Sequence, residues 1–555
     1  MIVNPILPGF NPDPSICRVG ADYFIATSTF EWYPGVQIHH STDMVHWKLV
    51  SRPLNRVAQL DMRGNPDSCG IWAPCLSFAD RKFWLVYTDV KRLDGAFKDS
   101  HNYIVTCDEI NGDWSDPVFV NSSGFDPSLF HDRDGKKWFL NMQWNHRGEG
   151  TGGNPANSSF DGILLQRWSE SGGLTGAVHN IFAGSSLGLV EAPHLFWREG
   201  YYYLTTAEGG TGYDHAVTMA RSKRITGPYQ LHPNRHIMSH SNASDQRIQR
   251  TGHGQYVETP DGEFYHTFLM GRPITDGSGE GRFCPMGRET GIEKCVWKDG
   301  WLYLEHGGEL VRETVPPVKG LKVAKSDAGL EPVSHNFRDG LPIEFQWLRT
   351  PHSERIFSTG PEGLTLIGRE SLGSWFEQAL VARRQTDFCY FAETTLATFD
   401  PDNYQQAAGL TTYYNRHKFH ALVVSYEAGV GRVLSLISCN GDYPEGALEM
   451  PLVPRSRLVS GPVDLRVDVD HASQQFFYRQ GGDWIAIGPP RDASLISDEA
   501  GRGEHASFTG ALGGAVGLFS YIYGVAYRFL PENTTLKYNV SRQRTLLHIL
   551  KIYTS

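Results

Sequence analysis

"DPSICRVGADYFIATS", residues 13–28, decides the fold, because the chain returns to it four more times in altered form. The later copies read "APCLSFADRKFWLVYT" from Ala73, "DPSLFHDRDGKKWFLNM" from Asp126, "EAPHLFWREGYYYLTT" from Glu191 and "HGQYVETPDGEFYHTF" from His253. Each has a small turn, usually with proline, then an apolar strand start, a short charged turn and an aromatic strand. The starts lie roughly 60 residues apart, a period that marks a repeat architecture, and each unit has room for about four short strands, one blade of a β-propeller. Several units close on a strand followed by Asp or Ser with Trp or Gly-Pro, as in "HHSTDMVHW", "TCDEINGDWSDP", "QRWSESGGLTG" and "ARSKRITGPY". Five units predict five blades.

The pattern stops after "WKDGWLYLEHGG" (297–308), and "VPPVKG" comes next at 315–320. Beyond it, alternating sequence such as "KFHALVVSYEAG" and "VDLRVDVDHASQQFFYRQ" has the period of two expected of sandwich faces. The reading is therefore all-β: a five-bladed propeller over 1–312 as catalytic domain, a linker over 313–325, and a jelly-roll-like β-sandwich over 326–555. The 59 glycines and 31 prolines agree, since they favour many strands joined by tight turns.

A net charge of −10 with no basic stripe argues against nucleic acid or an anionic membrane surface and leaves a neutral or small polar substrate. The start "MIVNPILPGF" has neither a basic nor an apolar leader region, and no apolar run reaches the roughly 18 residues of a membrane span, so a cytoplasmic protein is expected. The eight cysteines are scattered without CxxC pairs and read as buried thiols. "GEGTGG" (148–153) matches a phosphate-loop pattern, but the adjoining residues "NPANSSFDG" cannot open a helix. No HExxH zinc motif is present, and no Ser or Cys/His nucleophile context stands out.

The first strand of a propeller blade lines the central channel, so residues at its start converge on one mouth. Asp13 and Asp126 hold the same place in blades one and three, and Glu191 lies within one residue of it in blade four. Each Asp-Pro alone reads as a turn. Three converging carboxylates read as a site, because like charges repel unless a substrate, proton or cation accompanies them. Pro12 and Pro14 around Asp13 are expected to fix the backbone and aim that side chain inward. His253 starts blade five, as a structural histidine or as a contact to substrate or metal. Arg288 either holds sugar hydroxyls while lowering a carboxylate's pKa, or makes a plain ion pair. Phe30, Trp72 and Trp144 flank inner strands as core or as sugar platforms.

The motifs "GFNPDPSI", "ATSTFEWYPGVQIHHSTDMVHW", "FDPSLFHD", "EAPHLF", "TGHGQ", "GRPI", "GRET" and "QQAAGLTTYYN" resemble those of glycoside hydrolase family 43 β-xylosidases, over nearly the whole chain. The resemblance implies an inverting, exo-acting hydrolase of xylobiose and β-1,4-xylo-oligosaccharides, with α-L-arabinofuranosidase side activity, and a homo-dimer or tetramer. It requires no organic cofactor and is compatible with a structural or activating divalent cation such as calcium, with His253 as the candidate ligand. It further implies Asp13 as general base, Glu191 as general acid, and Asp126 as the residue that orients the acid and, being negative, raises its pKa. Phe30, Trp72, Ala73, Thr211, His253 and Arg288 would wall the terminal-sugar pocket, with Trp144 beside the leaving sugar and Phe508 supplied by the sandwich domain. The likeness fails after "FTGALGGAVGLFSY": the closing "IYGVAYRFLPENTTLKYNVSRQRTLLHILKIYTS" departs from the family pattern, which leaves the last sandwich strand unassigned. Alternative activities are α-L-arabinofuranosidase as the main reaction, or a non-catalytic sugar-binding propeller.

Overall fold

The computed structural model describes residues 1–150, 158–320, 333–368, 370–439, 448–449, 456–500, 508–514, 519–521, 524–526 and 544–554. They divide into two compact units. One comprises Met1–Leu60, Ser68–Arg272 and Arg288–Lys325; the other comprises Asp61–Asp67, Pro273–Gly287 and Ser326–Ser555. Two loops of the repeat region, Asp61–Asp67 and Pro273–Gly287, therefore group with the C-terminal unit. Among the described residues the only helices are 3-10 turns at Ser353–Arg355 and Asp498–Ala500, and none is long and apolar enough to cross a membrane.

The first unit is five antiparallel blades. Their first strands are Ser15–Val19, Gly70–Ala79, Ser128–His131, Glu191–Arg198, and Gln249–Gly252 continued by Tyr256–Glu258. The aromatic second strands, such as Lys82–Arg92 and Tyr201–Glu208, are buried on both faces because each blade is packed between neighbours. The charged turns between first and second strands take positive φ at successive residues, as at Asp80–Arg81 and Glu199–Gly200, the tight connection that suits twisted strands.

Apolar residues fill the seams between blades. Phe125, Met142 and Ile163 of the third blade meet Leu195 and Leu204 of the fourth. Ile16 and Ile25 of the first meet Tyr265 and Ile292 of the fifth, together with Ile2 and Ile6 from the N-terminus. That last seam closes the ring. Ile2–Val3 pairs with Thr314–Val315, and the Asn4 amide donates to the carbonyls of Ile292 and Arg312 at 2.9 and 2.8 Å. Across the axis, Leu76 N–H donates to Ser15 Oγ at 2.9 Å and Ser15 Oγ to Gln255 Oε1 at 2.7 Å, joining the first strands of blades one and two to the segment that links the two halves of blade five's.

The second unit carries two large antiparallel sheets. Val463–Asp470 buries every second residue, as its alternating sequence requires, and its outward Asp464 and Arg466 pair with Arg479 and Glu393. The unmatched C-terminus enters this fold. Arg544–Thr554 is a strand paired on one side with Cys389–Thr398 and on the other with Val333–His335 and Gly363–Ile367. The fully buried Arg349 holds Asp67 at 2.8 Å and Arg416 holds it at 2.7 Å, which ties the 61–67 loop into this unit.

Candidate active site

One backbone conformation recurs at the mouth of the first unit. Asp13, Ala73, Asp126, Ala192 and His253, one from each blade, all have positive φ, at 58°, 40°, 54°, 54° and 35°. Four of them precede proline, which disfavours helical backbone and predicts an extended residue. The expectation that the flanking prolines alone aim Asp13 therefore gives way to a β-bulge. Ser28 N–H donates to Pro12 O and Ser15 pairs with Ala26, so Asp13 and Pro14 together oppose Thr27. The register breaks in the same way between Trp72 and Cys75 and between Glu191 and His194. In blade three Met142 N–H donates to Phe125 O while Ser128 pairs with Leu140, leaving Asp126 and Pro127 opposite Asn141. Such bulges re-aim a side chain at the rim of a sheet. In blade four Ala192 takes the bulged place and Glu191 stands one residue before it.

All three carboxylates are buried. Asp13 Oδ2 accepts from Ser28 Oγ at 2.6 Å, and Asp13 Oδ1 faces His253 Nδ1 at 3.5 Å and Arg288 Nη1 at 3.7 Å. Asp126 Oδ2 accepts from the Ala192 N–H at 3.2 Å. Burial first, and then the charge of Asp13, push the Asp126 carboxyl well above the usual carboxylate range, against the pull of the Ala192 N–H and Arg288. Asp126 is thus itself a group whose ionisation its surroundings oppose. Burial also lowers the His253 imidazole, with Asp13 opposing and Arg288 assisting. Nearby, burial brings His194 and His215 down to about 3, each helped by His253.

The aromatic candidates form a chain along one side. The Arg288 guanidinium lies 5.1 Å from the Phe30 ring centre, Phe30 lies 5.8 Å from Trp72, and Trp72 lies 5.4 Å from Phe125. Phe125 in turn lies 6.2 Å from Trp144, whose ring carries Lys98 Nζ at 4.4 Å and whose Nε1 donates to Ala96 O at 2.8 Å. The Ala73 N–H donates to Ser28 Oγ at 2.7 Å. The Thr211 carbonyl accepts from Arg250 Nε at 2.9 Å. Phe508 opens the strand Phe508–Gly514 of the second unit, and its side chain lies outside the described residues.

Sequence reasoning passed over Ser28, Phe125 and Lys98. Ser28 is the last residue of the opening repeat, where strand pairing brings it back beside residue 12, and Phe125 directly precedes Asp126. Among the described residues, His253 belongs to no group of three or more His, Cys, Asp or Glu ligand atoms near enough to hold one cation. Among the described residues that arrangement occurs at Cys389, Asp470 and His471 of the second unit.

This geometry can activate water at one carboxylate and hold a sugar between carboxylates and aromatic rings. Family comparison agrees. The Glycosyl hydrolases family 43 model matches residues 2–302, and the Beta xylosidase C-terminal Concanavalin A-like domain matches residues 334–526. The chain belongs to glycosyl hydrolase family 43. It is 53% identical over 519 residues to Xylosidase/arabinosidase 43B of Humicola insolens, covering 92% of this chain and 93% of that protein. It is 47% identical over 523 residues to the Beta-xylosidase of Bacillus subtilis, covering 92% and 95%. The crystal structure of xylan beta-1,4-xylosidase from Bacillus halodurans matches with a TM-score of 0.89 at 40% identity, covering 100% of each chain.

Proposed function

We propose that the protein is an exo-acting, inverting β-xylosidase that releases xylose from the non-reducing ends of xylobiose and short β-1,4-xylo-oligosaccharides, with α-L-arabinofuranosidase activity beside it. The observation that carries this reading is Asp13: a buried carboxylate with a hydroxyl on one oxygen, and His253 and Arg288 3.5 and 3.7 Å from the other. An inverting hydrolase needs such a base to deprotonate water on one face of the sugar, while an acid on the other face protonates the leaving oxygen. Glu191 is assigned the acid. Asp126, bonded to the N–H of the residue after Glu191, steadies the backbone that carries it. Phe30, Trp72 and Arg288 form the wall against which a xylose ring would lie. The relatives named above support xylosidase over a non-catalytic propeller, and the paired name of the Humicola enzyme supports a second activity on arabinosides.

Leaving-group dependence tests the assignment. Glu191→Ala should abolish most hydrolysis of xylobiose, whose departing alkoxide needs a proton, yet spare much of the rate on 4-nitrophenyl β-xyloside, whose phenolate leaves unaided. Asp13→Ala should damage both alike, and proton NMR should show α-xylose as the first product. Equal losses on both substrates for Glu191→Ala, or β-xylose formed first, would overturn the roles.

A further inference from the structure

Ser28 is buried directly after the second strand of blade one, Asp22–Thr27, and its hydroxyl stands between two groups of different kind. Ala73 N–H, 2.7 Å away, can only donate. Asp13 Oδ2, 2.6 Å away, accepts. A serine hydroxyl has one proton, and with its oxygen already receiving the Ala73 N–H, that proton goes to Asp13. The direction of this relay is therefore fixed by the backbone of blade two, whose bulged residue carries a methyl group where blades one and three carry carboxylates. The two oxygens of Asp13 are left unequal. Oδ2 is committed to a short bond, whereas Oδ1 has His253 and Arg288 only at 3.5 and 3.7 Å, beyond ordinary hydrogen-bond length.

We propose that Ser28 is a positioning residue for the water-activating step, reserving Asp13 Oδ2 so that Oδ1 is the oxygen that takes the proton from water. The inference rests on the assignment of Asp13 as general base. Water gives one proton to Oδ1 as its oxygen bonds to the anomeric carbon and the glycosidic bond breaks, the leaving oxygen taking its proton from Glu191; the Ser28 proton stays on Oγ, and its hydrogen bond, donated to the carboxylate, steadies the carboxylate plane before the transfer. Ala73 serves the base from the neighbouring blade through its N–H alone.

The test compares Ser28→Ala and Ser28→Thr with wild type on xylobiose and on 4-nitrophenyl β-xyloside. Ser28→Ala should lower kcat by about tenfold to a hundredfold on both substrates, the scale of one hydrogen bond to a charged group, with KM changed by less than about threefold. The acid limb of its pH–rate profile should move to higher pH, and Ser28→Thr, which keeps the hydroxyl, should return the limb toward wild type. If Ser28→Ala does not accumulate as folded protein, Ser28→Cys is read by the same criteria, since it keeps a similar size and is a weak donor. Wild-type kcat and an unmoved acid limb in the hydroxyl-free variant would overturn the proposal, as would a loss confined to xylobiose. Asp13→Ala separates the two levels. If it remains active on both substrates, the base assignment falls and this inference with it; if it is inactive while Ser28→Ala is normal, only this inference falls.

Discussion

Acid should loosen the first unit through histidines that the reaction does not use. His194 and His215 are fully buried close to His253, and burial lowers both to about 3 from an ordinary 6.5. His194 Nδ1 faces Cys75 Sγ at 3.9 Å, and His215 packs so closely on Gly252 that a Cβ there would fall 2.4 Å from its ring. A histidine depressed in the folded state contributes stability that is present above its unfolded pKa of about 6.5 and is lost as pH falls toward the folded value. Between pH 7.5 and 5, an unfolded value near 6.5 and a folded value near 3 give a loss of about 2 kcal/mol for each such residue. Two together approach a substantial part of the roughly 5–15 kcal/mol that typically holds a folded protein.

The assay is urea unfolding followed by tryptophan fluorescence at pH 7.5 and pH 5, comparing wild type with His194→Gln. The variant will be less stable at pH 7.5, because it disturbs packing, so the informative quantity is the change between the two pH values. That change should be smaller than in wild type by about 2 kcal/mol, since the contributions of all other groups are common to both proteins and cancel. Equal changes in both proteins would show that His194 does not resist protonation in the folded state, and the account of His194 as a neutral buried histidine would fail.

Two further outcomes concern the site's surroundings. Asp126→Asn should gain stability relative to wild type as pH rises, because a carboxyl raised in the folded state contributes stability that is lost as pH climbs through its folded value, and asparagine has no such loss; a Tm difference that does not grow between pH 5 and 8 would refute this. Gly254→Ala should abolish soluble, active protein, since a Cβ at Gly254 would fall 1.8 Å from the backbone oxygen of Thr267 next to His253; normal yield with normal xylobiose hydrolysis would show that blade five tolerates the shift.

The blades were legible because they are a repetition, and repetition survives where individual strands are too short to identify alone. The aromatic second strands, the charged turns and the three carboxylates could all be placed by aligning the chain with itself. The backbone at the bulges could not. Asp13-Pro14, Ala73-Pro74, Asp126-Pro127 and Ala192-Pro193 read locally as extended dipeptides, and only tertiary packing around the axis holds all four residues at positive φ. Ser28 was missed for a related reason: a serine at the end of a strand carries no mark of function until the hairpin folds it back onto Asp13. The closing strand Arg544–Thr554 was hidden because it departs from the family pattern, yet its backbone pairs on both edges.

What distinguishes the five equivalent positions is which group each presents from the same bulge. Blades one and three present aspartates. Blades two and four present alanines, whose N–H groups are turned to the carboxylates of their neighbours: Ala73 to Asp13 through Ser28, and Ala192 directly to Asp126. Blade five presents His253, toward the oxygen of Asp13 that Ser28 does not occupy. A carboxylate at every position would place five like charges around one buried axis, at a desolvation cost that no set of backbone N–H groups could offset. Alternating acceptor and donor keeps the repeated backbone while reducing the charge to what Arg288 and the N–H groups can balance. The arrangement also makes the two aspartates unequal. Asp13 has a hydroxyl donor with cationic Arg288 nearby, whereas Asp126 has a single N–H at 3.2 Å and the charge of Asp13 against it. One therefore suits proton acceptance and the other suits holding the strand that begins at Glu191, and the difference arises from neighbouring blades rather than from the repeat itself.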